Sequence, residues 1–113
     1  MSPPGPPARY LLSFHPDVAQ DLADLDPEAL GAAAAILDDL AYARVTGKAL
    51  AQRNVSGDLT GLYRVRFDTP GHSPTRFRVV YKDLSPNARD VLAIGVRDGH
   101  AIYKMVVARL SLP

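Results

Sequence analysis

The chain has no cysteine among its 113 residues, and this absence excludes both a disulfide framework and thiolate metal sites. It fits a reducing compartment, so the expected location is the cytoplasm. No apolar run approaches the roughly 20 residues that a membrane-spanning helix needs. The N-terminus also lacks the basic and apolar regions of a secretory signal. The sequence therefore predicts a soluble protein without a cleaved leader.

Internal repeats and phosphate-cradling glycine loops are missing as well. A chain of this length holds one two-layer core, so we expect a single domain over residues 9–113. Residues 1–8 contain four prolines and one glycine, a composition that favours extended chain without packing contacts. They predict a flexible tail.

Charge divides the chain into two halves of opposite sign. Residues 1–45 carry two arginines against seven carboxylates, a net charge of −5, and residues 46–113 carry eleven cations against five carboxylates, a net charge of +6. Ten of the thirteen cations are arginine, the side chain that binds phosphate through two parallel hydrogen bonds. An anionic partner is expected for the basic half.

The acidic half predicts a short strand over residues 9–14 and then a helical hairpin. Pro16 and Asp17 begin the first helix, and Asp26 and Pro27 begin the second. Apolar residues at helical spacing form one stripe on each helix. The stripe of the first helix is Val18, Leu22 and Leu25, and that of the second is Leu30, Ala33, Leu37, Leu40 and Ala41. The second pattern ends at Gly47.

The basic half predicts strands over residues 62–68, 76–82 and 89–97, and a final helix over residues 101–110. The inward residues of that helix are expected to be Ile102, Met105 or Val106, and Leu110. Residues 54–59 fit either an edge strand or a turn. The order β-α-α-β-β-β(-β)-α predicts an α+β domain, a small antiparallel sheet with its helices on the apolar face.

Arginines occupy the polar positions of this alternating pattern. Arg64 and Arg66 point to one face of their strand, and the alternating residues Tyr63, Val65 and Phe67 point to the other. Arg78 and Arg97 occupy polar positions of the next two strands. The pattern predicts an open cationic face. Guanidinium groups on a rigid sheet suit phosphates in fixed geometry, which makes RNA the leading candidate partner. A merely solvated face is the simpler interpretation of any single pair.

Four segments taken in order resemble one family. They are Phe-His-Pro-Asp-Val-Ala, Gly-Leu-Tyr-Arg-Val-Arg-Phe, Phe-Arg-Val-Val-Tyr, and Val-Leu-Ala-Ile-Gly-Val-Arg with Tyr103 six residues later. Over residues 9–110 they resemble the RelE/ParE superfamily of toxins from type II toxin-antitoxin modules. The resemblance is closer to the RelE branch, and it implies a toxin that cleaves messenger RNA in the ribosomal A site and thereby inhibits translation. It also implies an antitoxin partner seated in an exposed apolar groove.

The resemblance assigns the site to Arg64, Arg66, Arg78, Arg97 and Tyr103. The implied enzyme is an endoribonuclease that needs neither metal nor cofactor, because the 2′-hydroxyl of the message attacks the adjacent phosphate. Arg78 would bind the scissile phosphate, Arg97 would stabilise or protonate the leaving oxygen, and Tyr103 would stack on a base or orient it. Arg64 and Arg66 replace the lysines common at these positions. Arginine is a poor proton acceptor, so both would act through electrostatics, and the general base is unassigned.

Three further points stay open at this stage. His100 fits either an auxiliary acid or base or a surface histidine at the start of the helix. The long hairpin tip over residues 69–75 fits a tolerated insertion or a contact with ribosomal RNA. The alternative functions are a ParE-like inhibitor of DNA gyrase and a catalytically degenerate RNA-binding protein.

Overall fold

The computed structural model describes residues 9–50, 59–96 and 101–111. Its elements are β1 (Leu11–Phe14), α1 (Val18–Ala23), α2 (Pro27–Ala41), β2 (Lys48–Ala49), β3 (Leu62–Phe67), β4 (Phe77–Ser85), β5 (Ala88–Val96) and α3 (Ala101–Ser111). The predicted tail, most of the ambiguous segment 54–59, Arg97 and His100 lie outside the described residues. Within those residues, every helix is too short or too polar to cross a membrane.

The five strands form one sheet in the order β1-β5-β4-β3-β2, which confirms the α+β class. Three neighbouring pairs are antiparallel, as expected. The outer strand β1 instead runs parallel to β5, with Leu11 beside Ala88 and Phe14 beside Val91. Alternation along a four-residue strand says which side chains share a face and nothing about its direction, so the sequence pattern did not reveal this pairing.

Apolar side chains cover both faces of the sheet. Against one face pack α1 and α2, through Val18, Ala33 and Leu40 among others. Against the other face packs α3, through Ile102, Tyr103 and Val106, which contact a cluster that includes Leu62, Val80 and Leu92. The expectation of an open cationic face was therefore wrong. Leu62 and Val80 share that face with the arginines and give α3 an apolar surface to pack on.

Helix α2 begins at a side-chain cap. The Asp26 carboxylate accepts a hydrogen bond from the Ala29 backbone N–H at 2.8 Å, and Pro27 occupies the first helical turn. The buried stripe is Ala29, Ala33, Ile36 and Leu40, whereas Leu30 is 42% exposed. The predicted stripe was thus displaced by one residue at its start, because a run of alanines offers two apolar faces of similar character.

Helix α3 differs from its prediction at the C-terminal end. Ile102, Tyr103 and Val106 are buried, but Leu110 is 43% exposed. The side chain of Arg109 points inward instead and forms hydrogen bonds with Asp21. Hydrophobic periodicity assigns an arginine to solvent, and a buried carboxylate on another element reverses that preference.

Candidate nucleic-acid interface

Strand register brings three of the predicted arginines together. Arg66 on β3 lies directly opposite Arg78 on β4, and Arg64 lies two residues from Arg66 on the same face, opposite Val80. Directly paired residues of an antiparallel sheet have Cβ atoms about 5 Å apart. The three guanidinium groups therefore originate from one small area of the sheet.

The exposure of these side chains differs sharply. Arg66 is exposed, whereas Arg64 and Arg78 are 6% and 5% exposed, and Tyr103 on α3 is fully buried at 0%. The guanidinium of Arg78 turns toward its own strand, since Nη1 donates to the carbonyl oxygen of Thr75 at 3.0 Å and to that of Phe77 at 2.9 Å. Of Arg64, Arg66 and Arg78, Arg66 is the one that is directly accessible to a nucleic acid in this arrangement.

A lysine that sequence reasoning missed joins the same face. Lys48 on β2 lies opposite Arg64 and is exposed. The pattern around it gave no signal, because β2 has only two residues and alternation needs about four to be recognised. Lys82 also belongs to this face, opposite Leu62. The described part of the face thus contains two lysines as well as three arginines.

The hairpin tip is held by a carboxylate at its base. Asp68 accepts hydrogen bonds from the Thr69 backbone N–H at 2.7 Å, from the Arg76 backbone N–H at 2.8 Å, and from Arg76 Nε and Nη2 at 2.9 and 2.8 Å. The Arg76 side chain is the main reason that the pKa of Asp68 lies well below its usual range. Because Thr75 in turn accepts from Arg78, the tip contributes to the position of a proposed site residue.

An apolar cavity of about 360 Å³ lies between the α1–α2 turn, the end of β5 and the start of α3. Its apolar walls include Leu25, Phe77, Ile94, Ile102 and Met105, and its acidic residues include Asp24 and Asp26. The cavity has the character of the exposed apolar groove predicted for a protein partner.

Among residues 9–50, 59–96 and 101–111, no group of three or more side chains is arranged to hold a metal ion.

Comparison with known proteins identifies the fold. No family model and no curated protein matches the sequence. Among solved structures, the chain is similar to the toxin RelE of E. coli, in a mutant with two arginine-to-alanine substitutions and in the free state, with a TM-score of 0.61 and 15% sequence identity. The similarity covers 93% of this chain and 99% of that one. The chain has a RelE-like fold.

Proposed function

We propose that this protein is the toxin of a type II toxin-antitoxin module and that it cleaves messenger RNA in the ribosomal A site. The RelE-like fold supports the assignment of the class. The single observation that carries the chemistry is the direct opposition of Arg66 and Arg78 beside Arg64. Guanidinium groups gathered on one rigid sheet are suited to a phosphodiester that acquires negative charge as it reacts.

The proposed reaction is attack of a nucleotide's own 2′-hydroxyl on the adjacent phosphate. Arg66 is exposed and makes the first contact with the RNA backbone. Arg78 then leaves the carbonyl oxygens of Thr75 and Phe77 and binds the scissile phosphate, a stronger, charge-assisted partner. Arg64 adds positive charge beside them. Because fixed guanidinium charges stabilise the phosphorane, the reaction requires no metal ion.

Three proposed residues act from the C-terminal segment. Arg97 stabilises the leaving 5′-oxygen, and His100 is an auxiliary acid or base. Tyr103 stacks on an unpaired base. Because Tyr103 is fully buried, this contact requires α3 to move away from the sheet when the message binds. Substrate binding and displacement of α3 are therefore coupled in the proposed mechanism.

The proposed partners are the ribosome with its message and a separate antitoxin protein, all in the cytoplasm. The apolar cavity between α1, β5 and α3 is the proposed position of an apolar antitoxin side chain. Residues of α3 line this cavity, including Ile102 and Met105. An antitoxin bound there would fix the position of α3 and with it the access to Tyr103.

The experiment is primer extension on a defined message in a reconstituted translation reaction, with and without ribosomes. Wild-type protein is expected to cut within A-site codons only when ribosomes are present. Arg66→Ala, Arg78→Ala and Arg97→Ala should each slow cleavage by roughly 10²-fold or more. Arg44→Ala is the matched control, since Arg44 is an exposed arginine at the end of α2 that pairs with Asp38 and Asp39, and it should cut at the wild-type rate.

The outcomes separate the candidate functions. An intact message with wild-type protein under every condition would refute the nuclease assignment, and a supercoiling assay would then test gyrase inhibition. If wild type cuts while folded Arg66→Ala and Arg78→Ala cut equally well, the protein is a nuclease whose site lies elsewhere. Circular dichroism of each variant checks that it is folded.

A further inference from the structure

The arginine-bearing face requires a proton acceptor that its arginines do not supply. Attack by a 2′-hydroxyl requires removal of its proton. A guanidinium retains its proton at any physiological pH, so Arg64, Arg66 and Arg78 stabilise charge but do not accept the proton. Among the described residues of this face, the groups that exchange a proton are the amines of Lys48 and Lys82, the carboxylate of Asp90 opposite Lys82, and the buried phenol of Tyr103.

Position on the sheet separates the two lysines. Lys48 lies opposite Arg64, and Arg66 follows two residues later at roughly 7 Å along the strand. Lys48 is therefore a diagonal neighbour of Arg66, and it lies two strands from Arg78. Lys82 lies opposite Leu62, which is four residues and roughly 13 Å along β3 from Arg66, and it lies beside Asp90 on β5.

Exposure favours the same lysine. Both residues of β2 are exposed, so the flexible four-carbon side chain of Lys48 can reach over the neighbouring strand toward a bound RNA backbone. Arg66, the accessible arginine, lies diagonally across from it. An RNA backbone that contacts Arg66 and the opened Arg78 thus passes within reach of the Lys48 amine, while the ring of Tyr103 stacks on an unpaired base in the proposed mechanism.

We propose that Lys48 is the proton acceptor of the cleavage reaction, an inference that rests on the proposed nuclease function. The lone pair of the neutral Lys48 amine takes the proton of the 2′-hydroxyl. The 2′-oxygen bonds to phosphorus while the bond from phosphorus to the 5′-oxygen breaks. A 2′,3′-cyclic phosphate and a 5′-hydroxyl result, the 5′-oxygen takes its proton from water, and the Lys48 ammonium returns its proton to solvent.

The test is the pH dependence of ribosomal cleavage from about pH 6 to about pH 9. The wild-type rate should rise with pH as the neutral amine becomes more abundant. Lys48→Arg keeps the positive charge but removes the acceptor, so it should cut roughly 10²- to 10⁴-fold more slowly and lose the rise. Lys48→Ala should regain activity in added methylamine, in proportion to the concentration of free amine. Lys104→Ala, at an exposed lysine of α3, should match wild type.

The result that overturns the inference differs from the one that overturns the function. If wild type cuts and Lys48→Arg follows the same rate and pH profile, Lys48 is not the acceptor although the nuclease function stands. The inference also fails if His100→Ala, rather than Lys48→Arg, abolishes the pH dependence. If wild type does not cut at all, the proposed function and this inference fail together.

Discussion

Asp21 on α1 and Arg109 on α3 form a buried, doubly hydrogen-bonded ion pair that joins helices from opposite faces of the sheet. Arg109 Nη1 and Nη2 each lie 2.7 Å from a carboxylate oxygen of Asp21. The same carboxylate accepts from the Ile94 backbone N–H at 3.0 Å, and Arg109 Nη1 also donates to the Leu92 carbonyl at 2.9 Å. The hydrogen bond that Arg109 donates to Asp21 is also the largest cause of the raised pKa of Arg109.

This pair completes an edge of the sheet that the short β1 leaves uncovered. The register of β1 on β5 ends at Val91, and beyond it no strand among the described residues lies beside β5 on that side. There the Asp21 carboxylate accepts a hydrogen bond from the Ile94 backbone N–H, and Arg109 donates one to the Leu92 carbonyl, as the backbone of a further strand would. Because Arg109 belongs to the helix that covers the arginine-bearing face, the pair also fixes where α3 lies.

We predict that Asp21→Asn lowers the free energy of unfolding by about 3 kcal/mol, since the largely buried guanidinium of Arg109 loses two short hydrogen bonds to a carboxylate and keeps only the longer ionic contact with Asp17 at 3.6 Å. Urea denaturation followed by circular dichroism measures the change. The matched control is Asp24→Asn, where the carboxylate is exposed and accepts from Gln20, and it should alter stability by no more than about 0.5 kcal/mol. Equal losses of unfolding free energy in the two variants would show that the ion pair of Asp21 and Arg109 stabilises the protein no more than an exposed carboxylate does.

Gly47 lies against the side chains of two tyrosines. Its backbone N–H donates to Tyr81 Oη at 2.9 Å, and a Cβ added there would lie 2.7 Å from that oxygen and 2.9 Å from Tyr63 Cβ. Tyr63 and Tyr81 stack with ring centroids 5.6 Å apart, so neither ring has room to shift. The chain between α2 and β2 therefore requires a residue without a side chain at this position.

Gly47→Ala should cost about 1 to 3 kcal/mol of unfolding free energy through this clash. Gly31→Ala is the opposite case, because an added Cβ meets no atom within 4 Å and the residue lies inside α2. That change should stabilise the protein by about 0.5 to 1 kcal/mol. Thermal unfolding of both variants gives the comparison, and a Gly47→Ala variant as stable as wild type would contradict the close approach.

The end of α2 carries a second backbone feature, a residue in the left-handed region. Ala43 has φ of 58°, the Arg44 backbone N–H donates to the Asp39 carbonyl at 2.8 Å, and the Ala43 N–H donates to the Leu40 carbonyl at 3.4 Å. These two bonds form the Schellman arrangement, in which glycine normally occupies the position of Ala43. The sequence pattern predicted that the second helix ends at Gly47, four residues after Ala43.

Ala43→Gly should therefore stabilise the protein by about 1 kcal/mol, because glycine adopts this conformation without a Cβ clash. Ala34→Gly, at an exposed position inside α2, should instead destabilise it by about 1 kcal/mol. Differential scanning calorimetry would show melting temperatures that move in opposite directions. A lower melting temperature for Ala43→Gly would mean that the helix does not end in this way.

Alternation over six or more residues made the strands of the basic half predictable, whereas contacts between distant elements did not show in the sequence. The observed β3 agrees with its prediction to within one residue, and the shared face of Arg64 and Arg66 follows from the two-residue period. The burial of Arg64 and Arg78 depends on where α3 crosses the sheet. Sequence periodicity describes each element by itself, so it predicted the positions of these arginines but not that α3 covers them.

The same limit applies to polar residues that are buried because of a distant partner. Arg89 is 5% exposed; its guanidinium lies 3.7 Å from the ring centroid of Tyr10 and donates to the Leu40 carbonyl at the end of α2. Arginine is a residue type usually found at the surface. Burial of Arg89 is favourable because α2 supplies the carbonyl and the segment just before β1 supplies the aromatic ring.

Stability in acid should depend on Asp68, whose carboxylate Arg76 and two backbone N–H groups hold in the ionised form. Its pKa is lower in the folded protein than in the unfolded chain, where an aspartate titrates near about 3.9. The stabilising contribution is therefore complete above that value and declines as the pH falls through the titration range. Asp68→Asn, which cannot ionise, should lower the urea midpoint at neutral pH and have progressively less effect below about pH 4.

Asp90→Asn, where the carboxylate accepts from the Ser13 hydroxyl at an exposed position, should give a pH profile close to wild type. An Asp68→Asn deficit that stays constant from neutral pH into acid would show that packing at the hairpin base, rather than charge, accounts for the loss.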